Sequence, residues 1–193
     1  MHPELWQTEE IYISAKLQQA LIVAVEEKKH AEVTRIVAID KRLLTKPLVE
    51  TKHLLSLALT SSPEVVQAVL TALGDKFWEL PEIERAEGVS FFRTAALHLG
   101  TAGARLLAGQ LEWSADNIQK QFVAAVQAAD SKLTAICLDL DAAIERPLVV
   151  AAAAGVAAAA DAGVRPLHAA INNGSYDLAR LLIERGADRG AGE

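Results

Sequence analysis

Apolar side chains recur along this chain at intervals of three and four, the spacing that lines one face of an α-helix. In residues 12–27 the stripe is Ile13, Leu17, Leu21, Ala24 and Val25. A charged break, Glu26-Glu27-Lys28-Lys29, separates it from a second stripe of Val33, Ile36, Val37 and Leu43. Residues 54–59 form a short apolar helix that ends at Thr60-Ser61-Ser62-Pro63-Glu64. That sequence is itself a helix start: Ser62 can cap, Pro63 suits the first turn and Glu64 complements the dipole. Val65, Val66, Val69, Leu70 and Leu73 then share a face, and Gly74 is a natural stop. Residues 77–88 are acidic and irregular, with Pro81 as punctuation. Helical segments at 91–99 and 104–111 follow, hinged around Gly100-Thr101-Ala102-Gly103. Ser114 can cap a helix that buries Phe122, Val123 and Val126. After a turn at Asp130-Ser131, the stripe is Leu133, Ile136, Cys137 and Leu140. No run of Val, Ile or Thr alternates with period two, so an all-α chain without a sheet is expected.

Short helices in pairs, joined by a few polar or glycine-rich residues, predict stacked helical hairpins, for which periods of roughly 20–50 residues are the sequence mark. Glu32-Val33 and Glu64-Val65 occupy matching places 32 residues apart. Beyond them the spacing becomes irregular, and periodicity alone indicates no family.

The last segment carries more. Gly163-Val164-Arg165-Pro166-Leu167-His168-Ala169-Ala170-Ile171-Asn172-Asn173-Gly174 resembles the first half of an ankyrin repeat. Residues 175–188, which include Leu178, Leu181 and Leu182 and close on Gly186-Ala187-Asp188, resemble its second half and follow without a gap. Pro166 begins a helix where a missing N–H costs nothing. Leu167, Ala170, Leu178, Leu181 and Leu182 are expected to bury one face, and Gly174 and Gly186 to allow positive φ where helices end. Arg165 departs from the threonine usual before the proline, which removes the customary Thr–His hydrogen bond. Upstream, Arg146-Pro147-Leu148 repeats the opening motif 19 residues before Arg165-Pro166-Leu167. Only 156–160 is left there for an outer helix, so a truncated repeat is expected. Residues 55–74 and 122–139 fit the two-helix pattern in hydrophobicity alone, and 77–120 fits it least. The resemblance implies an ankyrin-like solenoid of stacked hairpins, with truncated or degenerate repeats, in one helical-repeat domain over 1–193. Its expected parts are N-terminal hairpins at 1–76, an irregular middle hairpin at 77–120 and C-terminal repeats at 121–193.

Composition narrows the chemistry. Hydrophobic residues make up 51% of the chain and aromatics 5%, so Ala, Leu and Val must build the core. A net charge of −6 without a basic stripe disfavours nucleic acid. Cys137 is the only cysteine, which excludes an intramolecular disulfide and a cysteine-based zinc site. The N-terminus lacks the basic and apolar regions of a signal peptide. The most apolar stretch, 147–160, is shorter than the ~20 residues a membrane span needs. A cytoplasmic protein is expected, or an effector secreted by a route not visible in the sequence.

No residue calls for a catalytic, cofactor or metal role. In this motif His168 is a structural hydrogen-bonder at a helix start before it is a catalyst. Cys137 falls within an apolar stripe, where a free cysteine acts as a small hydrophobe. Asp139, Asp141 and Glu145 could attract a basic partner, as could Glu79, Glu82, Glu84 and Glu87, but solvation is the simpler role. Gly100-Thr101-Ala102-Gly103 lacks the lysine and strand of a phosphate loop. Trp6, Trp78 and Trp113 read as edge anchors. The resemblance therefore implies a non-enzymatic module, an adaptor, inhibitor or effector, that binds a protein on its concave surface. Asp161, Ala162 and Val164 at the turn tip and Asn172 and Asn173 at the inner-helix end are the expected contacts. Two other readings are an enzyme or small-ligand binder with a site in 77–120, around His98, and a structural or assembly subunit.

Overall fold

A computed structural model of the chain describes residues 3–49, 52–80, 89–146 and 164–187, with 3–13 described by their backbone only. The described residues form helices and connecting turns and no strand, with an isolated antiparallel bridge between Val49 and Lys52. The chain divides into two compact units, Met1–Glu112 and Trp113–Glu193. One domain with divisions after 76 and 120 is expected from the sequence, and helix Ala115–Gln127 spans residue 120.

The first unit contains α1 (Pro3–Glu26), α2 (His30–Ile39), α3 (Leu54–Ala58), α4 (Pro63–Leu73) and α5 (Val89–Gln110). Helix α1 begins well before residue 12, because nothing between Pro3 and Glu26 breaks a helix and Pro3 and Glu4 suit a first turn. Short 3-10 turns follow α2 at Lys41–Leu44 and α4 at Gly74–Glu79. Ser62 caps α4 by accepting from the Val65 amide at 3.4 Å, as the sequence predicts. The stripe Val65, Val66, Val69, Leu70 and Leu73 is buried in full.

The hairpins α1–α2 and α3–α4 repeat one another 33 residues apart, rather than 32. The Val33 amide bonds to the Lys29 carbonyl and the Val66 amide to that of Ser62, both at 3.0 Å. These caps set the register, and the buried pairs Leu21/Leu54, Val25/Ala58, Val33/Val66, Ile36/Val69 and Val37/Leu70 all follow it. The Glu32-Val33 and Glu64-Val65 match is one position out, because the helix starts at His30 and Pro63 set a spacing of 33. A spacing of about 33 residues is the length of an ankyrin unit.

Helix α5 is broken at Gly100, where φ is 65° and ψ −153°. That conformation is open to glycine and strained for other residues. The arms on either side fold so closely that a Cβ on Gly103 would lie 2.5 Å from the Cβ of Leu99 and 3.1 Å from the Ala95 carbonyl oxygen. The hinge falls where the sequence puts it, although the second arm is helical from residue 101.

The second unit holds α6 (Ala115–Gln127), α7 (Ser131–Asp139), α8 (Pro166–Asn172) and α9 (Tyr176–Glu184). Helix α6 packs on α8, and α7 on α9. The two hairpins share a backbone plan at a spacing of 45 residues. Ala129 and Gly174 both turn left-handed between inner and outer helix, at φ 56° and 67°, and Asp141 and Gly186 do so after the outer helix, at 67° and 94°. At the inner turns, Asp130 N–H donates to Ala125 and Ser175 N–H to Ala170, each at 2.9 Å. Such six-to-one bonds close a helix whose next residue is left-handed. Burial repeats as well: Phe122/Leu167, Ala125/Ala170, Leu133/Leu178, Thr134/Ala179 and Cys137/Leu182 are buried pairs. The spacing exceeds the usual ankyrin length by about 12 residues. The stretch between Asp141 and Val164 accounts for it. The truncated repeat expected at 147–160 lies outside the described residues.

Candidate protein-binding surface

The C-terminal hairpin is built around its proline and two glycines. Pro166 takes the first turn of α8, and Leu167 and Ala170 point into the core with Leu178 and Leu182 of α9. Leu181, expected among the buried residues, is only half-buried. Gly174 and Gly186 donate to the carbonyls of Ile171 and Ile183 at 2.9 and 3.1 Å, and each sits at positive φ. A proline start, a left-handed glycine between two antiparallel helices and a second one after them, with leucines buried between, form one unit.

Residues 163–192 match the Ankyrin repeat family. The C-terminal hairpin therefore matches an ankyrin repeat, a unit that suggests a protein–protein interaction module. No curated protein and no solved structure matches the chain.

Within this repeat, Asn172 and Asn173 are exposed where α8 ends, and Val164 is exposed two residues before the proline. These three are held by buried neighbours, Leu167 and Ala170 on one side and Leu178 on the other. Asp161 and Ala162 lie outside the described residues. Ile171 and Tyr176 are also exposed on the same hairpin, at 50% and 81%. The spacing conceals them, since Ile171 falls in an apolar run that reads as core.

His168 is half-buried, and among the described residues no hydrogen-bond partner is found for its imidazole. Arg165, in the place of the usual threonine, pairs instead with Glu145 at 3.5 Å. The acidic residues near 140 are partly engaged in the same way. Arg185 meets Asp139 at 2.6 Å, tying the ankyrin repeat to α7, and Arg146 meets Asp116 at 2.7 Å. Hydrogen bonding and charge from the Arg146 guanidinium hold the Asp116 carboxyl below its usual range. Exposed pairs of this kind are screened by solvent and contribute little to stability. They fix side chains at the surface more than they stabilise the fold.

Elsewhere the chemistry-bearing residues are dispersed. Cys137 is fully buried in α7. His98 is exposed on the first arm of α5, and Glu79 is exposed, while Glu82, Glu84 and Glu87 lie outside the described residues. An open groove of about 460 Å³ is lined by His30, Pro63, Glu64, Gln67, Ala68 and Leu106. A smaller one of about 290 Å³ lies by Lys28, Leu57 and Ser61. Trp78 is half exposed and meets the buried Phe77 edge-on at 5.2 Å. Trp6 falls within α1, and Trp113 is half-buried between helices. Among the described residues no His, Cys, Asp or Glu cluster could hold a metal ion, and no helix is long and apolar enough to cross a membrane.

Proposed function

We propose that this protein is a non-enzymatic adaptor, inhibitor or effector, acting in the cytoplasm or exported as an effector, that grips a protein partner through its ankyrin repeat. The hairpins stack as a solenoid, and the partner lies on the concave side. Asp161, Ala162 and Val164 meet it from the turn tip, and Asn172 and Asn173 from the end of the inner helix. The observation that carries this reading is the exposure of Asn172 and Asn173 directly beside a buried, glycine-fixed framework. Side chains that do no packing on a rigid element can be varied for recognition at little cost in stability.

The test is the double variant Asn172→Arg/Asn173→Arg. Its Tm should match that of the parent, because surface changes away from packed features stay within about 0.5 kcal/mol. Binding to the partner recovered with the parent protein should weaken by about tenfold or more, the effect of about 1.4 kcal/mol. Undiminished binding would remove these residues from the interface.

A further inference from the structure

Asn173-Gly174 is the one place in the chain where glycine follows asparagine, since Asn117 precedes Ile118 and Asn172 precedes Asn173. The side-chain amide of an asparagine can be attacked by the backbone nitrogen of the residue after it. Glycine in that place leaves the nitrogen unshielded and its peptide free to rotate. Asn173 and Gly174 are both exposed, so water and hydroxide reach the reacting atoms.

The closed turn holds those atoms apart. Asn173 has φ −80° and ψ 0°. At that ψ the Gly174 nitrogen eclipses the nitrogen of Asn173 itself, and the tetrahedral Cα carries Cβ roughly a third of a turn away. Ring closure therefore needs rotation about the Cα–C bond. It also needs the Gly174 N–H, which donates to the Ile171 carbonyl at 2.9 Å, to be released. The Ser175 N–H, donating to Ala170 at 2.9 Å, must let go with it. These bonds lie at the exposed end of a helix of 7 residues. Such ends open far more often than the buried core does.

We propose that Asn173 is a modification site, deamidated spontaneously from the opened turn. Hydroxide takes the proton of the Gly174 amide, and the freed nitrogen bonds to Asn173 Cγ. The bond from Cγ to the side-chain nitrogen breaks, that nitrogen takes up a proton from water, and ammonia leaves. The succinimide ring that results adds one water, and nothing is oxidised or reduced. Opening at the side-chain carbonyl gives aspartate. Opening at the main-chain carbonyl gives isoaspartate, whose backbone runs through Cβ and is longer by one carbon. Either product places a carboxylate at the C-terminal end of α8, where the helix dipole disfavours negative charge. Isoaspartate also displaces Gly174 from the position in which its left-handed conformation closes the turn. The reaction thus recharges and loosens the surface at Asn172 and Asn173, and its chemistry does not depend on what binds there.

The test incubates the folded full chain in heavy-oxygen water at mildly alkaline pH, then maps its peptides by mass spectrometry with fragmentation that separates isoaspartate from aspartate. Conversion at Asn173 should exceed that at Asn117 and Asn172 by about tenfold or more, because neither of those precedes glycine. Both products should appear, each with one heavy oxygen, at a rate that rises with hydroxide. In guanidinium chloride, where no turn has to open, Asn173 should convert faster still. Gly174→Ala separates the chemistry from mere access. Loosening of the turn raises the open fraction by about two- to fivefold, yet the added methyl shields the nitrogen, and the net rate should fall. An intact Asn173 in the folded chain would overturn the proposal, as would equal conversion at all three asparagines. So would aspartate without isoaspartate, the mark of direct hydrolysis, or faster conversion in Gly174→Ala.

Discussion

Gly103→Ala should destabilise the protein, and Gly109→Ala, six residues further along the same helix arm, should stabilise it. Alanine is preferred to glycine within a helix by about 1 kcal/mol, so propensity alone gives both changes the same sign. Space separates them. A Cβ at Gly109 meets nothing within 4 Å, whereas one at Gly103 runs into the Leu99 Cβ at 2.5 Å and the Ala95 carbonyl at 3.1 Å. Those atoms belong to backbone or to the root of a side chain and cannot swing aside. Overpacking of this kind costs about 1–3 kcal/mol, enough to outweigh the propensity gain. Gly103→Val, with two further methyl groups, should lie at or beyond the upper end. Urea unfolding of the variants measures all three. Equal stabilisation by the two alanines would show that the arms of α5 do not fold against each other at Gly100.

The second large effect is an exchange between corresponding turns. Ala129 and Gly174 hold the same left-handed place in their hairpins, at φ 56° and 67°. A non-glycine residue there costs about 1–2 kcal/mol, from which the greater freedom of glycine in the unfolded chain subtracts about 0.4–1. Gly174→Ala should therefore lose about 0.5–1 kcal/mol and Ala129→Gly should gain about as much. The Tm should move by about 1–4 °C in opposite directions, on the scale for a chain of this length. Two changes of the same sign would contradict the shared turn.

That pair also explains what the sequence conceals. The ankyrin repeat is legible because Pro166, Gly174 and Gly186 mark its start and both turns. In α6–α7 the corresponding residues are Gln121, Ala129 and Asp141, so the same backbone carries none of the marks. Only the buried pairs, Phe122 with Leu167 and Cys137 with Leu182, preserve it, and a hydrophobic pattern alone fits any helical hairpin. Local chemistry is legible elsewhere. The Ser62-Pro63-Glu64 start, the Gly100 hinge and the stripe from Val65 to Leu73 stand as expected. The division between units near residue 112 depends on which helices pack together rather than on any break in composition. The exposure of Val164, Asn172 and Asn173 is legible from register. The exposure of Ile171 is not, because it falls in an apolar run that reads as core.

The central claim is that the exposed end of α8 meets a protein partner. It is tested most directly by placing a photoreactive amino acid at position 173 in the native cell and identifying the adducts by mass spectrometry. The same probe at Gln67, exposed beside the groove on α4, serves as control. The account predicts one recurrent protein adduct from position 173 that the control does not give. No protein adduct from 173, with a recurrent one from 67, would contradict it and move the interface to the first unit.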